Sequence, residues 1–96
     1  MIAEPIQVKA INQYSIWLKF ADNTEGQVDL SYLINKPVFN NWKNPDFFKK
    51  VYIDKETCAI AWDENIELCP DSLYLKIKGI TFEEWKTNQY SYAASQ

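Results

Sequence analysis

The sequence has no histidine and no arginine; its ten cations are all lysine, set against 13 Asp plus Glu for a net charge of −3. Without His, the commonest general base and the commonest transition-metal ligand are both missing. Without Arg, and with an acidic balance, there is no bidentate grip on phosphates. The only basic groupings, Lys49-Lys50 and Lys76 with Lys78, read as solvated faces, so direct nucleic-acid binding is not expected. The two glycines, Gly26 and Gly79, are far apart, which excludes a phosphate-cradling loop. Cys58 and Cys69 have ten residues between them, a spacing of no zinc ribbon or finger, and a pair of thiols cannot close a tetrahedral site. No metal or other cofactor is therefore expected. Nowhere do 18 apolar residues follow one another, and no apolar stretch follows a basic start, so the expectation is a cytoplasmic protein with no membrane contact.

What is present is apolar and aromatic: 47% hydrophobic and 16% aromatic residues in a chain of 96. That is too oily for disorder and the right length for one domain with one core. In "PIQVKA" and "YSIWLKF" apolar and polar residues alternate, which predicts strands with one buried face. Placing Ile6 opposite Phe20, Val8 opposite Leu18 and Ala10 opposite Ile16 needs an odd-numbered loop near Asn12-Gln13-Tyr14. The cluster "ADNTEG" predicts a turn, with Phe20 opposite Val28 on a third strand, "GQVDL". "DLSYLINK" offers a helical turn ended by Pro37. A helix then starts at Asn44 as cap, with Pro45 first and Asp46 at its positive end, and Phe39, Trp42, Phe48 and Val51 facing inward.

"VYID", "CAIAW" and "NIELC" read as three more strands, the last two joined by the loop 63–65. Ile60 and Trp62 then share a face with Ile66 and Leu68. Parity puts Cys58 on that face and Cys69 on the other, which disfavours a disulfide and suits a reducing compartment. "CPDSLYLKI" opens a further helix or helical turn. "TFEEW" matches a capping box, Thr81 with Glu84, and starts a C-terminal helix; the tail "NQYSYAASQ" is expected to fray. The fold class is α+β: antiparallel sheet or sheets of about five to six short strands, as a three-stranded meander, a helix and then a hairpin, with a C-terminal helix. Residues 1–80 form the domain, and 81–96 a helix and tail packed on it.

Candidate chemistry concentrates in "IAWDENIELCPDSLY". Asp63, Glu64 and Glu67 surround a turn and Asp71 begins a helix; two such acids held together could work as acid and base. Structural duties fit them without strain: Asp63 and Asn65 as turn formers, Glu67 facing water, Asp71 on the helix dipole. Ser31 and Ser72 sit at expected helix starts, and neither has a His to activate it. No catalytic, cofactor-binding or metal-ligating residue is assigned. Trp17 is conspicuous because alternation puts it on the polar face. Either it packs under Phe82 or Trp85, or with Ile11 it forms an exposed patch for a partner. Trp17, Ile11 and Trp85 are the candidate interaction surface.

The segments "PIQVKAINQYSIWLKFADNTEGQVDLSYL", "VFNNWKNPDFFKKVYID" and "AIAWDENIELCPDSLY" resemble, in order and spacing, the small bacterial domain of unknown function 2442. The most specific part runs from Trp62 through Ile66, Glu67, Leu68, Cys69, Pro70, Asp71 and Leu73 to Tyr74; the family often has Gly where Asn65 stands. The resemblance implies a small α+β domain without established catalytic residues. It gives Trp62, Pro70, Asp71, Leu73 and Tyr74 as pattern residues, with structural roles expected. Some members carry an appended helix-turn-helix, for which no room is expected here, and some look encoded beside a partner in a manner similar to toxin–antitoxin pairs.

The functional expectation is a non-enzymatic protein-interaction module, an antitoxin-like or regulatory member of a gene pair. Its partner would be a protein encoded by an adjacent gene, and a homo-oligomer is also allowed. The alternative is a small-ligand binder or enzyme using carboxylates around the 63–71 turn.

Overall fold

The computed structural model describes residues 2–86. The expected fraying of 88–96, and the packing of that tail on the domain, lie outside the described residues. Three strands, β1 (Pro5–Asn12), β2 (Ser15–Phe20) and β3 (Glu25–Asp29), form an antiparallel sheet in the order β1-β2-β3. Two 3-10 segments, Ser31–Leu33 and Pro37–Lys43, lead to a short helix α1 (Pro45–Phe48). A second antiparallel sheet follows, ordered β4 (Tyr52–Ile53), β5 (Ile60–Asp63), β6 (Ile66–Leu68), and then helix α2 (Pro70–Lys78). Residues 82–86 are helical. The α+β class and the strand number are as the alternation predicts, with two separate three-stranded sheets.

The registers keep the expected parity by a different device. Val8 faces Leu18 and Ala10 faces Ile16, but Asn12 faces Ser15, so the loop is the two-residue Gln13-Tyr14 and the odd residue is Ile11, bulged out of the ladder. Tyr14 takes φ 65° to close the turn. A second irregularity sets Pro5, not Ile6, opposite Phe20, and leaves Ile6 49% exposed. A bulge adds one unpaired residue, which restores parity without a longer loop. The same occurs in the second sheet: Ile60 faces Leu68 and Asp63 faces Ile66, the extra residue is Trp62, and the loop is Glu64-Asn65. Asn65 is not among the residues with positive φ.

Between β2 and β3 the register is Ile16 opposite Val28 and Leu18 opposite Gly26, a tighter hairpin than the expected Phe20–Val28 pairing. Its cause is local. Asn23 adopts φ 71°, and the Asp22 carboxylate accepts the Thr24 N–H at 2.9 Å, so the chain reverses within residues 21–24. Gly26 belongs to the strand rather than the turn.

The two sheets share one core. Ile16, Leu18, Phe20 and Val28 come from the first, Ile60, Trp62 and Ile66 from the second, and Leu73 with Tyr74 from α2. Phe39, Trp42 and Phe48 are buried between them, and Val51 is half-buried. The inward face expected over 39–51 is real, but it is spread over a 3-10 segment and the four-residue α1. Pro37 starts the 3-10 segment in which Phe39 and Trp42 lie. Asn44 caps α1 as its side chain predicts, accepting the Asp46 N–H at 3.0 Å.

Helix α2 begins with the buried Pro70 and ends at Gly79 in the left-handed region, φ 70°, where the Gly79 and Ile80 N–H groups donate to the Lys76 and Leu75 carbonyls. This is a glycine stop that satisfies the last carbonyls. No side chain caps α2 or the Ser31–Leu33 segment; the Ser31 N–H instead donates to Asp29 at 2.9 Å. The Thr81 hydroxyl accepts the Glu84 N–H at 3.1 Å, half of the expected capping box. Both cysteines are free. Cys58 precedes β5 with φ 63° and is half-buried, so it belongs to the turn rather than to the Ile60/Trp62 face.

Candidate functional site

In the segment 60–74 each pattern residue carries a packing or hydrogen-bonding duty. The bulged Trp62 is buried, and its Nε1–H donates to the Phe48 carbonyl at 2.9 Å, tying β5 to the end of α1. Its ring lies 4.6 Å from Trp42 and 5.6 Å from Phe48, and Phe39 stacks on Trp42 at 4.4 Å. The Asp63 carboxylate accepts the Asn65 N–H at 2.8 Å, a local turn bond. Glu64 and Glu67 are exposed. Asp71 accepts the Ile2 N–H at 2.8 Å, which fastens the chain ahead of β1 to the start of α2. Leu73 is buried.

Tyr74 reaches furthest. Its ring meets Phe20 edge-on at 5.0 Å, and its hydroxyl donates to Asp22 Oδ2 at 2.7 Å. The Tyr74 hydroxyl, together with the Thr24 N–H, holds the Asp22 carboxyl below its ordinary range. Burial, reinforced by the Asp22 carboxylate, raises the Tyr74 phenol. Asp22 escaped the sequence reading because its partner is 52 residues away, and no local pattern marks such a pair. Asp29 and Asp54 are lowered by bonds within their own turns, Asp29 by the Ser31 N–H and Asp54 by the Thr57 and Glu56 N–H groups.

Asp63, Glu64, Glu67 and Asp71 line neither of the two concavities described next. Among the described residues no group of three or more His, Cys, Asp or Glu could hold a metal ion, and no helix is long and apolar enough to cross a membrane.

The first concavity, of about 310 Å³, lies between the β1–β2 turn and α1, with Ile11, Tyr14, Trp42 and Phe48 in its walls. The second is an open groove of about 570 Å³ between β1 and β4, where Ile6, Val8 and Trp17 meet Val51, Tyr52 and Ile53. Ile11 lines the first concavity and Trp17 the second. Trp17 is half-buried, with the Lys9 ammonium 5.7 Å from its ring centre. Trp85 is half-buried beside Phe82, 5.7 Å between ring centres, and Phe82 is 53% exposed. Ile6 and Tyr52, both missed as surface candidates, are 49% and 41% exposed at the groove. The signal that marks Ile6 is the bulge, which alternation alone cannot show.

The groove is flanked by outer strands. β1 and β4 are each at the end of their sheet and pack against one another without belonging to a common ladder. In the first concavity the wall includes Trp42, which is buried and whose ring N–H has no acceptor among the described residues. A buried donor left unpaired costs about 1–3 kcal/mol.

A family model described as "Protein of unknown function (DUF2442)" matches residues 5–79. No curated protein and no solved structure matches the chain.

Proposed function

Because the chain belongs to the DUF2442 family over the whole framework from β1 to the Gly79 stop, we propose that it is a non-enzymatic protein-interaction module whose docking surface is the β1–β4 groove. The observation that carries this reading is the pairing of two outer strands with exposed apolar side chains, Ile6 at 49% and Tyr52 at 41%, around the half-buried Trp17. Outer strands are ordinarily blunted by charge, and apolar residues left open there mark association sites. Among the described residues, Lys9 is the one charged residue in the groove wall. The fitting occupant is an extended segment of a partner protein, with apolar side chains for Ile6, Trp17 and Tyr52 and an acid for Lys9. An antitoxin-like or regulatory role beside an adjacently encoded partner, as the family resemblance suggests, is the specific form of this proposal.

The test is co-expression with the product of the adjacent gene, and the mass of the purified complex by analytical ultracentrifugation. A stoichiometric complex is expected, weakened at least about tenfold by the double substitution Ile6→Asp and Tyr52→Asp with the melting temperature retained. A chain that stays alone with that product, or a complex indifferent to both substitutions, overturns the proposal.

A further inference from the structure

The concavity between the β1–β2 turn and α1 is independent of that groove, and its chemistry is different. Its apolar wall is built by Ala10, Ile11, Tyr14 and Phe48, with Tyr14 and Phe48 edge to face at 6.1 Å. The bulge at Ile11 and the left-handed Tyr14 are what fold the turn over α1. At about 310 Å³ it stands at the lower end of the roughly 300–1,000 Å³ usual for small-molecule sites.

Its charge runs against that of the chain. A protein with 13 acids and a net charge of −3 places no Asp or Glu in this wall, and places Lys43 and Lys49 there. Both lysines are exposed and neither pairs with a carboxylate among the described residues. The remaining polar residues, Asn12 and Gln13, are neutral. Aromatic walls and two exposed ammonium groups together describe the complement of a flat apolar anion.

We propose that this concavity binds a small aromatic carboxylate, its ring against Tyr14, Phe48 and Ile11 and its carboxylate between Lys43 and Lys49.

Titration of the 15N-labelled protein with sodium phenylacetate, and separately with the neutral phenylacetamide, tests this. Phenylacetate is expected to move the Trp42 indole N–H signal, assigned by its loss in Trp42→Phe or by triple-resonance connectivity if that variant does not fold. The Trp17 signal stays in place. The amide should bind about fivefold more weakly, the effect of losing two exposed charge contacts. Lys43→Gln with Lys49→Gln, both at exposed positions, should abolish that difference. Equal affinity for acid and amide in the unsubstituted protein, no shift at millimolar phenylacetate, or a response centred on Trp17 overturns the proposal.

Discussion

Gly26 sits inside β3, opposite Leu18, in a backbone conformation with no positive φ. Replacing it with Ala would ordinarily stabilise the protein by about 0.4–1 kcal/mol, because the unfolded chain loses freedom. The position of α2 reverses that sign. A Cβ on residue 26 would lie 2.9 Å from Ile77 Cγ2 and 3.5 Å from Cγ1, where carbon atoms prefer roughly 3.5–4.0 Å. Ile77 is on a helix and β-branched, so its methyl cannot swing aside by changing rotamer and the helix itself must lift. Overpacking of this kind costs about 1–3 kcal/mol, which leaves Gly26→Ala destabilising by about 1–2 kcal/mol. In an Ile77→Ala background the obstacle is gone, and the same substitution should stabilise by about 0.5 kcal/mol. Urea unfolding of the four proteins, followed by tryptophan fluorescence, closes the cycle, with an expected coupling of about 1.5–2.5 kcal/mol. Equal effects of Gly26→Ala in both backgrounds would refute the reasoning, since then α2 does not rest on β3 through this contact.

Trp62→Phe removes the bond to the Phe48 carbonyl, leaves that carbonyl unpaired and opens space beside Trp42; a loss of about 2–4 kcal/mol in urea unfolding is expected, and a loss under about 0.5 kcal/mol contradicts the role assigned to the indole. Asp22, Asp29 and Asp54 are all lowered in the folded protein, so their contribution is present above the unfolded carboxylate value, about 3.9, and is lost as pH falls through their folded values. Tyr74 is raised, so its contribution is complete below the unfolded value, about 10, and is lost as pH rises through the folded one. The urea midpoint measured against pH should therefore fall on both sides, and Asp22→Asn should flatten the acid limb; an unchanged acid limb counts against the Tyr74–Asp22 bond. Cys58→Gly relieves the left-handed backbone at φ 63° and should raise stability by up to about 1 kcal/mol, read as a higher urea midpoint.

Much of the architecture was legible because it is local. The Asn44-Pro45-Asp46 start of α1 is a cap, a ring and a carboxylate within three positions, and each acts on its own neighbours. The α2 start at Pro70 is of the same kind. The registers were legible only in parity. Alternation says which side a residue faces, but a bulge at Ile11 or Trp62 costs little and preserves every face, so sequence spacing cannot separate it from a longer loop. The candidate site was the least legible part. Trp17 was marked by its place on the polar side, whereas Ile6 and Tyr52 join it only because β1 and β4 come from different sheets and meet at their edges.

Composition and alternation were sufficient to establish an α+β chain with a single aromatic-rich interior, and local caps such as Asn44 to place a helix start, since those are interactions among residues a few positions apart. The bonds from Asp71 to Ile2 and from Tyr74 to Asp22 span 69 and 52 residues. They and the Gly26–Ile77 contact depend on how α2 settles against the first sheet and its flanking chain, and the two concavities on how β1 meets α1 and β4. Close packing sets that arrangement, and it is a property of surfaces assembled from distant segments that no window of the chain contains.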